Sequence, residues 1–113
     1  MDSLSLTLSA LSDPTRRKIL ARLRAGPASV TELGEPFGVS QQAISKHLAY
    51  LERANLVQTR RDGRQQIRAL NPAPIREVAE WAEEYRRYWE GAFGRLRDFL
   101  NRQTASRQRR GRP

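Results

Sequence analysis

Two helix-breaking clusters lie close together in the first third of this chain, and they restrict what can form around them. Ala25-Gly26-Pro27 ends any helix that precedes it, and Pro36, which has no N–H to donate, ends the next one just before Gly38. Only eight residues separate Pro27 from Pro36, room for about two turns. Ser29-Val30-Thr31-Glu32 opens that interval with the pattern of a capping box, serine at the N-cap and glutamate three residues later. After the second break, Val39 leads to Ser40, another N-cap residue, and an amphipathic segment runs from Gln41 to about Ala54. Asn55 suits the left-handed residue that closes such a helix where glycine is absent. A short helix, a tight turn and a longer helix are therefore expected in sequence.

The flanks extend the pattern. Leu4, Leu8 and Leu11 recur at helical spacing in LSLTLSAL, and Asp13-Pro14 starts a second helix that runs to about Leu23 with Ile19, Leu20 and Leu23 facing inward. Between Leu56 and Leu70 the period changes: LVQTR and QQIRAL flank Arg61-Asp62-Gly63-Arg64, and Asp-Gly marks a hairpin turn. Asn71-Pro72-Ala73-Pro74 ends that hairpin, and one long helix is expected from Ile75 to about Leu100. The tail 101–113, which ends in TASRQRRGRP, has no apolar periodicity and is expected to be basic and disordered. The fold class is mainly α with a small β-hairpin wing, in the order helix-helix-helix-helix-hairpin-helix. That is the order of a winged helix-turn-helix, and residues 1–100 are expected to form one domain, which the features below assign to DNA binding and dimerisation.

The helix beginning at Gln41 has an unusual outer face. With 100° of rotation per residue, Leu48 and Leu51 fall within about 40° of Ile44, and those three form its buried stripe. Gln42, Lys46, Ala49 and Arg53 lie opposite, with Gln41 and Ser45 on the flank. Glutamine pairs bidentately with adenine, lysine donates to guanine, and serine serves several base edges, so the face suits a DNA major groove. Ala49 is small enough to let the rod approach closely, and Arg53, farther along, is expected to reach a phosphate. His47, the only histidine, lies about 60° from the buried stripe; it either packs at the core boundary or bonds a phosphate. Arg60, Arg61, Arg64 and Arg68 on the hairpin are expected to hold backbone phosphates or enter the minor groove.

The charge distribution fits this reading. The formal net charge is +9, and residues 14–74 contribute +7 of it (11 basic, 4 acidic), whereas residues 75–100 contribute −1 and the tail +5. Arginine-rich coding would raise the total, but it would not concentrate the charge on one part of the chain, so a polyanionic partner is expected. There is no cysteine, which excludes disulfides and thiolate metal sites. A single histidine, no glycine-rich phosphate loop and no carboxylate pair of buried character make an enzyme a poor fit, and no cofactor is expected. No apolar run reaches membrane-spanning length, and the start MDSLSLTLSALSDPTRR has no basic region ahead of its leucines, so no membrane partner and a cytoplasmic location are expected.

Three stretches carry a resemblance to a known family: ALSDPTRRKILARL (10–23), SVTELGEPFGVSQQAISKHLAYLERANLV (29–57) and RRDGRQQIRALNP (60–72). In order and spacing the chain resembles the ArsR-type winged-helix repressors. The resemblance implies a homodimer that binds a pseudo-palindromic operator in double-stranded DNA and represses transcription. It also implies DNA contacts at Ser40, Gln41, Gln42, Ser45, Lys46 and His47 and along the wing arginines. Metal-sensing members carry cysteines in the helix that corresponds to Ser29–Phe37, or Asp/His pairs in the last helix. This chain has no cysteine and no histidine there, so the resemblance carries no metal site over to it.

The last helix points to a second partner. With Tyr85 as reference, Val78, Trp81, Ala82, Tyr88, Trp89, Ala92, Leu96, Phe99 and Leu100 lie within about 60°, and Phe93 sits near the edge. A helix of this span is about 39 Å long, more than so small a domain covers, so a second copy is expected to meet the stripe. The expected dimer interface comprises Leu4, Leu8, Trp81, Tyr85, Tyr88, Trp89, Phe93 and Leu96. A pocket for an aromatic effector lined by Trp81, Tyr85 and Trp89 is the competing reading of those rings. For the whole chain the alternative is a protein-interaction module that docks its aromatic helix on another protein and keeps a vestigial DNA-binding motif. Gly91 and Gly94 either permit close packing or allow a bend.

Overall fold

The aspartate–proline start at residues 13–14 forms as the local chemistry requires. In the computed structural model, which describes residues 1–110, Asp13 is the N-cap of α2 (Pro14–Arg24) and its Oδ2 accepts from the Arg16 N–H at 2.9 Å. Asp2 caps α1 (Ser3–Leu11) in the same way, accepting from Ser5 N–H at 2.7 Å. Ser29 and Glu32 close a reciprocal capping box on α3 (Val30–Gly34): the Glu32 N–H donates to Ser29 Oγ at 3.3 Å, and the Ser29 N–H to Glu32 Oε1 at 3.2 Å. A 3₁₀ turn over Glu35–Phe37 and a left-handed Gly38 (φ 61°) then redirect the chain into α4 (Gln41–Arg53), capped by Ser40.

These caps carry a pH dependence. The backbone N–H groups of Ser5, Arg16 and Ser29 hold the carboxyls of Asp2, Asp13 and Glu32, respectively, below the ordinary range. Because the folded values lie below the unfolded ones, the stabilisation is complete above the usual carboxylate range and is lost as pH falls from that range through the lowered folded values. The urea midpoint should therefore drop between neutral pH and about pH 3. Asp13→Asn keeps a capping oxygen without a titration and should flatten that decline. An unchanged acid limb would remove Asp13 from the account.

α4 ends in a Schellman motif. Asn55 adopts the left-handed conformation (φ 66°), its N–H donates to Glu52 O at 2.9 Å, and the Leu56 N–H donates to Leu51 O at 2.9 Å. Leu51 and Leu56, the residues that such a motif brings together, are both fully buried. The hairpin follows as β2 (Val57–Asp62) and β3 (Gln65–Leu70), paired antiparallel from Val57–Leu70 to Asp62–Gln65. Asp62 belongs to the ladder, so the two loop residues are Gly63 and Arg64. Only Gly63 (φ 63°) has a positive φ, the pattern of a type II′ turn. The sequence pattern did not show β1 (Ala28–Ser29), two residues that pair with Arg68 and Ile67 of β3 and make the sheet three-stranded in the order β1-β3-β2.

One apolar cluster joins these elements: Ile19, Leu20 and Leu23 from α2, Leu33 from α3, Ile44, Leu48 and Leu51 from α4, and Leu56 and Val57 at the start of the hairpin. In α1 it is Thr7 and Ala10 that are fully buried, with Leu6 and Leu11 packed beside them. The Thr7 hydroxyl is satisfied by Ser3 O at 3.0 Å. That rotation leaves Leu4 half-buried and Leu8 exposed, so Leu4, Leu8 and Leu11 are not one buried face.

Two expectations about the C-terminal third need correction. The single helix expected over 75–100 is two, α5 (Ala73–Glu83) and α6 (Arg86–Arg110). They are separated by a tightened turn in which the Glu84, Tyr85 and Tyr88 N–H groups donate to carbonyls three residues back. The interruption falls at Glu84-Tyr85 and not at Gly91 or Gly94, which lie within α6. Arg86 spans it, donating to Glu83 at 2.8 Å and Glu90 at 2.7 Å, and both carboxylates raise the affinity of its guanidinium for its proton. Second, residues 101–110, expected to be disordered, continue α6; residues 111–113 lie outside the described residues. Arginine, glutamine and alanine are good helix formers, and basic groups near a helix C-terminus complement its dipole, so the segment holds a helix without an apolar face.

Candidate nucleic-acid interface

Burial of Ile44, Leu48 and Leu51 decides which side of α4 faces outward. Gln41, Gln42, Ser45, Lys46, Ala49 and Arg53 are all exposed. The side chains of Gln42, Ser45 and Lys46 make no hydrogen bond or ion pair among the described residues, so their donors and acceptors are presented to solvent. Gln41 is partly committed, since its Nε2 donates to Thr31 Oγ1 of α3 at 3.3 Å. Ser40 is exposed but its Oγ accepts from the Ala43 N–H at 3.2 Å, which makes it first a cap.

His47 is half-buried, with Nδ1 3.9 Å from Asp13 Oδ2. It thus sits where α4 meets the N-terminus of α2, at the core boundary. No group of three or more His, Cys, Asp or Glu side chains is arranged to hold a metal ion among the described residues.

The hairpin separates its arginines. Side chains alternate along a strand, so Arg60 and Arg61 project from opposite faces, while Arg64 occupies the turn; all three are exposed. Arg68 is different. It is half-buried, ion-paired with Glu52 of α4, and its Nη1 donates to Thr59 Oγ1 at 2.9 Å while Nη2 donates to Gln66 at 3.0 Å. It fastens the hairpin to the end of α4 and is not part of the outward cationic set. The expectation that it would join the other wing arginines is corrected on that ground: Thr59, directly across the ladder, and Glu52 occupy the same face.

Two residues that the sequence pattern did not single out stand beside this surface. Arg16 of α2 lies over the Tyr50 ring at 4.1 Å, and Arg53 lies over the same ring at 5.4 Å. Tyr50 itself is half-buried, its hydroxyl 2.6 Å from Ser9 Oγ. The only hint in the sequence is that Tyr50 and Arg53 are three residues apart on α4; the approach of Arg16 is a tertiary fact.

The aromatic positions of the C-terminal third are open to solvent. Trp81, Tyr85, Tyr88, Trp89, Phe93 and Leu96 are all exposed, Tyr88 and Phe93 to 66%. Trp81 and Tyr85 stack edge to face at 5.6 Å. No helix among the described residues is long and apolar enough to cross a membrane.

Known proteins share this arrangement. A family model described as a helix-turn-helix domain matches residues 11–60. The transcriptional repressor SdpR of Bacillus subtilis is 36% identical over 72 residues, covering 64% of this chain and 80% of that protein. An HTH-type transcriptional regulator of Mycobacterium tuberculosis is 39% identical over 83 residues, covering 74% and 75%. A crystal structure of an ArsR family transcriptional regulator superposes with a TM-score of 0.72 at 37% identity, covering 79% of this chain and 98% of that one. Fold, exposed helix face and relatives agree: this chain belongs to the ArsR family of winged helix-turn-helix proteins and is a DNA-binding transcriptional regulator.

Proposed function

We propose that the chain works in the cytoplasm as a homodimeric repressor, occupying a pseudo-palindromic operator and so blocking access of the transcription machinery. The observation that carries the DNA part of this reading is the unpaired polar face of α4, with Gln42, Ser45 and Lys46 exposed on a helix whose other side is wholly buried. In this reading Gln42 and Lys46 contact base edges, with Ser45 and Gln41 beside them. Ser40 and His47 lie at the margin, and Arg53, Arg60, Arg61 and Arg64 hold phosphates. Dimerisation is supported by the exposed rings of Trp81, Tyr85, Tyr88, Trp89 and Phe93 together with Leu96, Leu4 and Leu8. A Cβ added at Gly94 would meet nothing within 4 Å, which leaves room for close approach of a partner. Two α4 helices related by a two-fold axis would read half-sites about one helical turn apart.

Selection of bound sequences from a random DNA pool tests the reading directly. A palindromic consensus is expected, and a pool that fails to converge would overturn operator recognition. On the selected site, Gln42→Ala and Lys46→Ala should each cost about 1–3 kcal/mol and relax preference at one base position. Equal losses on operator and random duplex would remove both from base reading. Arg64→Ala should weaken all sequences alike and lower the salt slope by about one per protomer bound. A change confined to the operator would contradict a backbone contact.

A further inference from the structure

Along the face of α4 lies an open depression of about 690 Å³ that the reading above uses only through Lys46, His47 and Arg53, leaving Arg16 of α2 and Tyr50 without a role. Arg16, Lys46, Tyr50 and Arg53 line it, so three permanent cations share one concavity. The one carboxylate on its rim, Glu52, is already paired with Arg68 and bonded to Thr59. Asp13, 3.9 Å from His47 and close enough to Arg16 to feel its charge, is engaged as the cap of α2, so three cations face the depression against two carboxylates committed to other partners.

Two of these cations, Arg16 and Arg53, are also held in place. Arg16 Nε donates to Ala10 O at 2.7 Å and Nη2 to Ser9 O at 3.0 Å, using the last-turn carbonyls of α1. Its Nη1 makes no hydrogen bond among the described residues. Tyr50 keeps that guanidinium at 4.1 Å from its ring and Arg53 at 5.4 Å, while Ser9 fixes the tyrosine hydroxyl. Two planar donors splinted on one ring lose little conformational freedom on binding an anion, and guanidinium matches phosphate geometry. The depression is open rather than enclosed, which suits a phosphodiester passing over the surface.

From this geometry we infer that Arg16 and Arg53, splinted by Tyr50, form a clamp for a backbone phosphate of the duplex facing α4. The inference rests on the DNA reading above and adds to it a contact from α2. Arg16 then has two tasks, capping α1 with one edge and binding the phosphate with the other. Tyr50 is a positioning residue.

Affinity is measured against potassium chloride concentration, on the selected operator and on a random duplex of the same length. Arg16→Gln and Arg53→Gln should each weaken both duplexes by the same factor and lower the salt slope by about one per protomer bound. Tyr50→Leu, which keeps both charges, should weaken binding, and Tyr50→Phe, which keeps the ring, should restore it. Neutral methylphosphonates placed singly along the operator backbone should reveal one position per half-site that weakens the wild type and is silent in Arg16→Gln. Circular dichroism checks the fold of each variant. If Arg16→Gln unfolds through loss of its α1 contacts, Tyr50→Leu against Tyr50→Phe carries the test of the clamp, because Arg53→Gln lowers the slope whether or not Arg16 takes part. Unaltered slopes in the folded variants, with normal wild-type binding, would overturn the clamp alone. A wild type that binds neither duplex would overturn the DNA reading and the clamp with it.

Discussion

Trp89→Glu is expected to turn the proposed dimer into a monomer and to lower affinity for a full operator by about 10²–10⁴-fold. Trp89 is exposed, as are Trp81, Tyr85, Tyr88 and Leu96, and large aromatics of this kind dominate interface energies. A carboxylate there would be buried without a partner if a second copy covered it, which disfavours association by several kcal/mol. The cost should fall on assembly and not on the DNA-binding body, because among the described residues the apolar cluster under α4, with the side chains packed around it, is built from positions up to Ile75. The affinity loss follows from avidity: two linked half-site contacts become two independent ones. Sedimentation velocity and a gel shift on full and half operators measure both effects. A variant that remains dimeric, or loses half-site binding as strongly as full-site binding, would show that these aromatics serve something else.

Leu48→Ala should destabilise the protein by about 2–5 kcal/mol, the range for emptying a fully buried leucine position. Leu48 lies in the cluster with Ile44, Leu51, Ile19 and Leu33, in the interior face of the helix that presents Gln42 and Lys46. For a domain whose total stability is about 5–15 kcal/mol the loss is large, and it should weaken binding to every DNA sequence in parallel. Urea unfolding gives the first quantity and paired gel shifts on operator and random duplex the second. Ala49→Ser, one residue on and exposed, should leave stability nearly unchanged. A Leu48→Ala protein of native stability would mean that the orientation of α4 is set elsewhere.

Much of the α2–α4 region was legible because its signals are local. Asp13-Pro14, Ser29 with Glu32, Ser40 and Asn55 each satisfy or terminate a backbone within a few residues, and each appears in the structure in the expected role. The buried stripe of α4 was equally plain, since a 3.6-residue period projects Ile44, Leu48 and Leu51 to one side. Periodicity failed where two faces compete. In α1 leucines at helical spacing pointed to one face, yet the small Thr7 and Ala10 are the residues that fit against the core. In the C-terminal third a continuous apolar stripe gave no sign of the interruption at Glu84-Tyr85, because the stripe records which residues are apolar and not where the hydrogen bonds shorten.

Residue chemistry and short-range spacing thus determined the order of elements, the capped turn before α4 and the polar set that α4 presents, because caps, breakers and helical periods act over one or two turns. Tertiary structure alone decided which arginines remain outward. Arg68 and Arg61 look alike in the sequence, but register across the hairpin places Arg68 opposite Thr59 and within reach of Glu52, while Arg61 stays in solvent. Likewise Arg16 meets Tyr50 only because α2 packs against α4. The use of a charged side chain depends on what lies across from it, and no local pattern contains that partner.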